Sequence, residues 1–393
     1  MRSRKCHTIS AGQVQQWALS WLIDSIKLPD HGWKCTAVVV WNIVLRAAAR
    51  MCSLAAACRD LADAPSDQAV FDALHDGLPK TWKTLEGRSD ELLLGHLLTR
   101  VRKRSWNVAI DWHLVPYYGQ PDKSENELRR SKPQKGTSTF HAYATACIVS
   151  HGIRYTLAAT WVRRNESMVT VLDRLLTRLD ENGLKIRRLL VDRAFYNFAV
   201  IEHLQSRTIP FVMPTVLRGR KPKRGTPRKG LRLIARQNTG WYRHTLTSKV
   251  RSLNVSICVS VRSYQHRRTG KRHRQKVMFA CWRVKGAPQE IRELYRTRFG
   301  IETSYRQWRQ ARIITCARDP LLRLLFVVIG LMLRNLWLWL HATLLAPEGP
   351  EATSDAFTPQ FQQLRFRRLL DWIAIAVTSQ LHDQSTPCVQ NSA

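Results

Sequence analysis

Hydrophobic positions in the first hundred residues recur with the period of a helix. Apolar residues spaced three and four apart predict four helices, separated by turns that contain proline and glycine. The predicted helices cover residues 13–26, 37–61, 67–75 and 91–101. Short helices joined by tight turns are typical of domains that recognise DNA ends and equally of plain helical bundles. We therefore expect a helical N-terminal domain over residues 1–104 and leave open whether it binds DNA ends.

The hydrophobic period changes to that of β-strands at Trp106. Residues 106–115 form an almost continuous apolar run, which predicts a strand buried on both faces. Asp111 lies in the middle of this run. Because an unpaired buried carboxylate is costly, we expect Asp111 to have a cation or a metal ion as its partner.

Strands and helices alternate through the next hundred residues. Further strands are predicted at 141–149, 154–162, 187–192 and 210–214, and helices at 166–182 and 195–206. The third of these strands ends on Asp192. This order predicts a mixed α/β sheet whose first part spans residues 105–217. Asp111 and Asp192 would lie on separate strands, where open α/β sheets gather their functional groups.

A basic, β-rich insertion is predicted over residues 218–287. It opens with a basic run, residues 218–230, typical of a loop that contacts phosphates or of a disordered connector. Three strands follow at 240–247, 252–261 and 276–284, and a basic hairpin at 262–274 links the last two.

The helix predicted over residues 295–309 carries a single acid among basic residues. At about 100° per residue, one face of it collects four charged side chains: Arg298, Glu302, Arg306 and Arg309. A solvated charged face is the ordinary explanation of such a pattern. One carboxylate inside a group of like cations favours a functional face instead.

The most apolar stretch of the chain is residues 321–346. Arg323, Arg334 and Asn335 interrupt it, so its longest uncharged run is too short to span a bilayer. We expect one or two buried helices there, completing the second part of the core over residues 288–345. Residues 346–393 are predicted to form a linker followed by a C-terminal helix at 361–381.

The net charge and the cysteines limit the classes of binding partner and the cellular compartment that we expect. The chain has 63 Lys and Arg against 29 Asp and Glu, a formal net charge of +34, which indicates a polyanion such as nucleic acid. A membrane is disfavoured because no basic segment has a clean apolar face. The nine cysteines show no zinc-ligand spacing and no disulfide framework. With no secretory signal pattern at the N-terminus, we expect a cytoplasmic, nucleoid-associated protein with reduced thiols.

Three acids stand out by context: Asp111, Asp192 and Glu302. Each alone is more often structural. Brought together, such carboxylates bind two Mg²⁺ ions, with Mn²⁺ as a substitute, and support in-line displacement at phosphorus. The surrounding arginines would then bind backbone phosphates.

The same stretches resemble the DDE transposases of prokaryotic insertion sequences, the group typified by insertion sequence 4. Tyr295, Arg298, Glu302 and Arg309 match that group's Y-x2-R-x3-E-x6-K box, with arginine in place of the final lysine. The residues around Asp111 and Asp192 are similar to its first and second acid motifs. The likeness covers roughly residues 100–340.

This resemblance implies an RNase H-like core with a β-domain inserted before the last acid. It further implies that Asp111, Asp192 and Glu302 are catalytic metal ligands. Tyr295, Arg298 and Arg309 would hold the DNA near the cleaved end, and Arg306 lies on the same basic face. The protein would act as a homodimer on paired transposon ends.

The expected activity is metal-dependent cleavage at transposon ends by water, followed by transfer of the 3′-hydroxyl into double-stranded target DNA. Alternatives are a related RNase H-like nuclease and an inactive or domesticated transposase that only binds DNA. Trp241 and Trp282 could stack on a flipped base, and His113 could lie near the metal ions. Core packing is the simpler expectation for these three.

Overall fold

The structure is a computed structural model that describes residues 9–120, 128–150, 153–218, 227–265, 269–345 and 364–382 of the 393-residue chain. Helices precede the sheet at Ala11–Ser25 (α1), Ala37–Arg50 (α2), Leu54–Arg59 (α3), Asp67–Gly77 (α4), Trp82–Leu94 (α5) and Thr99–Arg102 (α6). Hydroxyl side chains begin several of them: Ser10, Thr36, Ser66 and Thr81 each accept a bond from a backbone amide of the first turn.

The remaining elements alternate as the sequence predicts. The strands are Ser105–Pro116 (β1), Arg129–Gln134 (β2), Thr137–Ile148 (β3), Thr156–Val162 (β4), Lys185–Val191 (β5), Phe211–Pro214 (β6), Gly240–Thr247 (β7), Ser252–Gln265 (β8) and Arg272–Trp282 (β9). The helices are Met168–Glu181 (α7), Phe198–Ser206 (α8), Leu231–Ile234 (α9), Pro288–Arg296 (α10), Phe299–Trp308 (α11), Pro320–Thr343 (α12) and Phe366–His382 (α13).

Within the described residues the strands form one mixed sheet in the order β2-β3-β1-β5-β6-β9-β8-β7, and β4 pairs with β3. The central strands β1, β5 and β6 are parallel, and the others pair antiparallel. The mixed α/β class is therefore confirmed. The β-rich insertion continues this sheet, because β9 pairs directly with β6.

The N-terminal helices pack onto the rest of the chain. Helices α1 and α2 contact α13, and α5 contacts both β4 and α12. A buried ion-pair cluster joins α5 to α7: Arg178 binds both oxygens of Asp90 and lies 3.4 Å from a carboxylate oxygen of Glu86. The first hundred residues thus share their core with the sheet.

Helix α12 is the predicted apolar stretch, and it forms one buried helix. Among the described residues, it is the helix whose length and composition would allow it to cross a membrane, with a mean hydropathy of 1.9. However, 94% of its most apolar window is buried inside the protein. Its polar side chains bind internal groups: Asn335, for example, accepts from the amide of Thr156 and donates to the carbonyl of the same residue.

Several predicted elements need correction. The helix expected over 37–61 breaks at Met51, which adopts a left-handed conformation with φ of 54°, and Ser53 begins the next helix. The basic polar stretch over residues 120–138, which the sequence pattern predicts as a loop, contains β2. It escaped the sequence pattern because its side chains are exposed and basic.

The helix expected over 295–309 is two helices. Around Thr297 and Arg298 the amides bond to carbonyls three residues back, and Thr297 Oγ1 also donates to the carbonyl of Leu294. These tighter bonds form a turn between α10 and α11. Arg309 follows α11 in a short 3₁₀ turn. Most of the predicted basic run and the predicted linker lie outside the described residues.

Candidate active site

The first two acids lie side by side at one end of the sheet. β1 and β5 are parallel, and Ile110 is paired with Val191. Asp111 follows Ile110 within β1, and Asp192 follows Val191 directly after the end of β5. The two acids therefore occupy matching positions, and neighbouring strands of a sheet lie about 4.8 Å apart. β5 ends at Val191, and an oxygen of Asp192 accepts from the amide of Ala194 to begin a 3₁₀ turn.

Arg298 joins the third acid to the first. Its Nη1 donates to Asp111 Oδ2 at 3.1 Å, and its Nη2 donates to Glu302 Oε1 at 2.8 Å. The Arg298 side chain is only 7% exposed, against 18% for Asp111 and 50% for Glu302. The prediction that Asp111 has a cationic partner is therefore confirmed, and that partner is Arg298.

The charge balance at Asp111 reflects these neighbours. Burial raises the pKa of Asp111; the Arg298 charge opposes the rise, and the nearby charge of Asp192 adds to it. For Arg298, burial lowers the pKa, but the charges of Tyr295, Asp111 and Glu302 outweigh it, so its pKa is raised. The guanidinium stays charged and offsets the negative charge that the acids bring together.

Tyr305 anchors α11 beneath the acids. Its hydroxyl donates to the carbonyl oxygen of Asp111 at 2.9 Å and bonds the hydroxyl of Thr145, the β3 residue paired with Asp111, at 2.7 Å. Tyr305 thus fixes the helix that carries Glu302 against two strands. Sequence reasoning missed this role, although Tyr305 comes one turn after Glu302 and could have been noticed as a polar group on the apolar face.

The donor chemistry of the three acids fits a divalent cation, because oxygen ligands of this kind are those that Mg²⁺ prefers. The guanidinium of Arg298 already bridges Asp111 and Glu302, so both carboxylates face the same positive charge. Among the described residues, no three His, Cys, Asp or Glu side chains are close enough together to form a metal-binding group. Binding a metal at all three acids would require Arg298 and Glu302 to shift.

The predicted DNA-binding residues fall into two groups. Tyr295 and Arg298 are buried: burial raises the pKa of Tyr295 to about 12, and its ring packs on Phe279 at 5.0 Å between centroids. Arg306, on α11, and Arg309, in the 3₁₀ turn that follows it, are exposed. Only the exposed pair is directly available to a phosphate backbone in this structure.

Of the other residues considered from sequence, His113 is buried, and Trp241 and Trp282 are half-buried and pack against the core. His113 is buried between the rings of Tyr305 and Trp308, and burial lowers its pKa to about 3, so it is neutral. The indole of Trp241 donates to the carbonyl of Gly286 at 2.9 Å. Trp282 stacks on Phe211.

Comparisons with known proteins show the family of the chain. A family model described as "Transposase DDE domain" matches residues 102–336, more than half of the chain. Among solved structures, the chain is similar to piggyBac transposase in a synaptic complex with hairpin DNA, with a TM-score of 0.55 and 12% identity over 99% of this chain and 84% of that one. That likeness concerns the fold alone. A comparison with curated proteins found no match.

Proposed function

Since the chain belongs to the transposase DDE domain family, we propose that it is a DNA transposase that cleaves transposon ends and joins the freed 3′-hydroxyl to target DNA. We further propose that it is a member of the prokaryotic group typified by insertion sequence 4, with an RNase H-like core. The motif around Tyr295, Arg298, Glu302 and Arg309 supports this narrower placement.

The observation that supports the proposal is the placement of Asp111, Asp192 and Glu302. Asp111 and Asp192 occupy matching positions on two neighbouring parallel chain segments, and Arg298 connects Asp111 to Glu302 on the helix. Members of this family generally use divalent metal ions, and the three carboxylates are the residues that would hold Mg²⁺ or Mn²⁺. When bound, a metal pair activates an attacking oxygen and stabilises a leaving one.

The chain's own residues bind and position the DNA. Arg306 and Arg309 lie near Glu302, exposed, and can form charge-assisted hydrogen bonds to backbone phosphates. Tyr305 keeps α11 in place on β1. The net charge of +34 attracts the duplex over a longer range. The piggyBac structure is a synaptic complex with hairpin DNA, which supports DNA as the partner. From the resemblance to the insertion-sequence group, we also propose that this chain acts as a homodimer on paired ends.

Amide substitution of the acids tests the proposal. Asp111→Asn, Asp192→Asn and Glu302→Gln should each abolish Mg²⁺-dependent nicking of a supercoiled plasmid, while DNA affinity changes little, because the lost group acts in the chemical step. Glu293→Gln is the matched control, since Glu293 is an exposed acid of α10 paired with Arg296. Retained nicking in one of the three variants would remove that residue from the site. Nicking without joining of a pre-cleaved end would indicate a nuclease.

A further inference from the structure

A further cluster of arginines, separate from those near Glu302, lies where α11 meets α12 and α13. A pocket of about 380 Å³ opens where α11 and its 3₁₀ turn meet α12 and the beginning of α13. Four arginines and two glutamines form its polar lining, and Trp337 contributes to an apolar wall. The polar lining residues are Arg154, Arg334, Arg365, Arg367, Gln307 and Gln310.

Arg334 is fully buried at the base of this pocket. Its Nε donates to Gln307 Oε1 at 2.9 Å, and its Nη1 donates to the carbonyl oxygen of Arg154. Arg367 is paired with Asp371 at 3.1 Å. Within the described part of the chain, no carboxylate forms an ion pair with Arg334, Arg154 or Arg365. A buried charge without a counterion is costly, and proteins normally pair or neutralise it.

Two other buried arginines have carboxylate partners, whereas Arg323, which is also buried, donates to backbone carbonyl oxygens. Arg178 is paired with Asp90 and Glu86, and Arg298 with Asp111 and Glu302. At Arg334, burial and then the nearby charge of Arg154 lower the pKa to about 10. The pocket therefore has positive charge that an anion would compensate.

The backbone makes room for this cluster. A Cβ at Gly300 would lie 3.2 Å from Nε of Arg154, closer than such contacts normally allow. Glycine at this position lets the Arg154 side chain lie against α11. The arginine is thus held beside the pocket by the packing of the helix.

We propose that this pocket binds a phosphate group of the DNA backbone, at a site separate from the three acids. That this phosphate belongs to DNA rests on the proposed function. Gln307 is five residues beyond Glu302, about 7.5 Å along the helix and about 140° around it. A phosphate bound there is not the one being cleaved. The apolar wall with Trp337 suits the sugar beside that phosphate.

The first experiment measures binding of inorganic phosphate to the full chain by calorimetry at low ionic strength. Arg154→Gln and Arg365→Gln are the test variants, because replacing the fully buried Arg334 could prevent folding. We expect each to weaken phosphate binding about tenfold. Arg368→Gln is the matched control: Arg368 is exposed on α13, lies over the ring of Trp372 and does not line the pocket. Equal weakening in the control would overturn the site.

The second experiment distinguishes backbone phosphate from free phosphate. Duplex affinity is measured against salt concentration, and each pocket variant should reduce the slope by about one unit while Arg368→Gln leaves it unchanged. Phosphate binding that depends on the pocket, together with an unchanged DNA slope, would overturn the DNA assignment and indicate a free anion. The wild-type chain is assayed for nicking in parallel. If the wild-type chain does not nick DNA, the proposed transposase function is contradicted, whereas the phosphate-binding measurement on the pocket still stands.

Discussion

The guanidinium of Arg298 connects Asp111 and Glu302, and its removal would leave Asp111 beside Asp192 without a cation. We expect Arg298→Gln to destabilise the fold by about 3 kcal/mol, because removing one partner leaves a buried charge unpaired. Urea denaturation measures the change. In the Arg298→Gln background, Asp111→Asn should restore part of the loss.

Arg296→Gln is the control for this prediction. Arg296 is exposed at the end of α10 and paired only with Glu293, three residues earlier. Its loss should change the free energy of unfolding by about 0.5 kcal/mol or less. If Arg298→Gln and Arg296→Gln lowered the free energy of unfolding by similar amounts, the bond between Arg298 and Asp111 would stabilise the protein no more than an exposed ion pair does.

DNA binding separates the exposed arginines from the buried one. Arg306→Ala and Arg309→Ala should each reduce the salt dependence of duplex binding by about one unit, since each removes one phosphate contact. Arg309→Lys should keep most of the salt dependence of duplex binding, because lysine keeps the positive charge. Arg298→Ala should leave the slope unchanged, because Arg298 binds the acids instead. A flatter slope in Arg298→Ala would mean that this arginine turns toward DNA in the complex.

At the scale of elements, α12 packs tightly against the end of α11 at Gly330. A Cβ at Gly330 would lie 2.7 Å from Cδ1 of Trp308 and 2.8 Å from the carbonyl oxygen of Ala311. Trp308 also donates to the carbonyl of Val327 at 3.0 Å. Gly330→Ala should therefore destabilise the protein by about 2 kcal/mol and lower nicking activity by displacing the helix that carries Glu302.

Gly87 provides the matched control on α5, since a Cβ there would meet nothing within 4 Å. Gly87→Ala should stabilise the protein by up to about 1 kcal/mol through helix propensity, with activity unchanged. Thermal unfolding measures the change in stability of both glycine variants, and plasmid nicking measures their activity. If Gly330→Ala behaved like Gly87→Ala, the packing of α11 on α12 would not be the feature that positions Glu302.

At the scale of the whole molecule, the N-terminal helices share a core with the sheet. A chain beginning at residue 102, where the family match starts, would leave Arg178 buried without Asp90 and Glu86 and would expose the α5 side of α12. We expect this shortened chain to aggregate or to lack a cooperative unfolding transition. The full chain should unfold with the N-terminal helices and the sheet in one transition. Stable folding of the shortened chain would identify residues 1–101 as an independent domain.

The sequence was enough to predict the mixed α/β class and the order of the main strands along the chain, while the catalytic role of Asp111, Asp192 and Glu302 stays a prediction. Apolar runs and their periods report local burial, and an acid inside a buried strand is conspicuous without any structure. Asp111 needed a cation for that reason, and the structure provides one. The metal ions, the roles in DNA binding and the homodimer remain predictions from the resemblance and the charge.

Only the tertiary structure decided which groups meet. The register of β1 against β5 brings Asp111 beside Asp192, and no local pattern encodes pairing between strands so far apart in sequence. The side of α11 that faces the sheet determined that Arg298 binds acids while Arg306 and Arg309 stay exposed. The same packing buried Arg334 in a pocket formed by three separate helices. Sequence periodicity determines which residues are buried, but the partners of a buried charge depend on long-range packing.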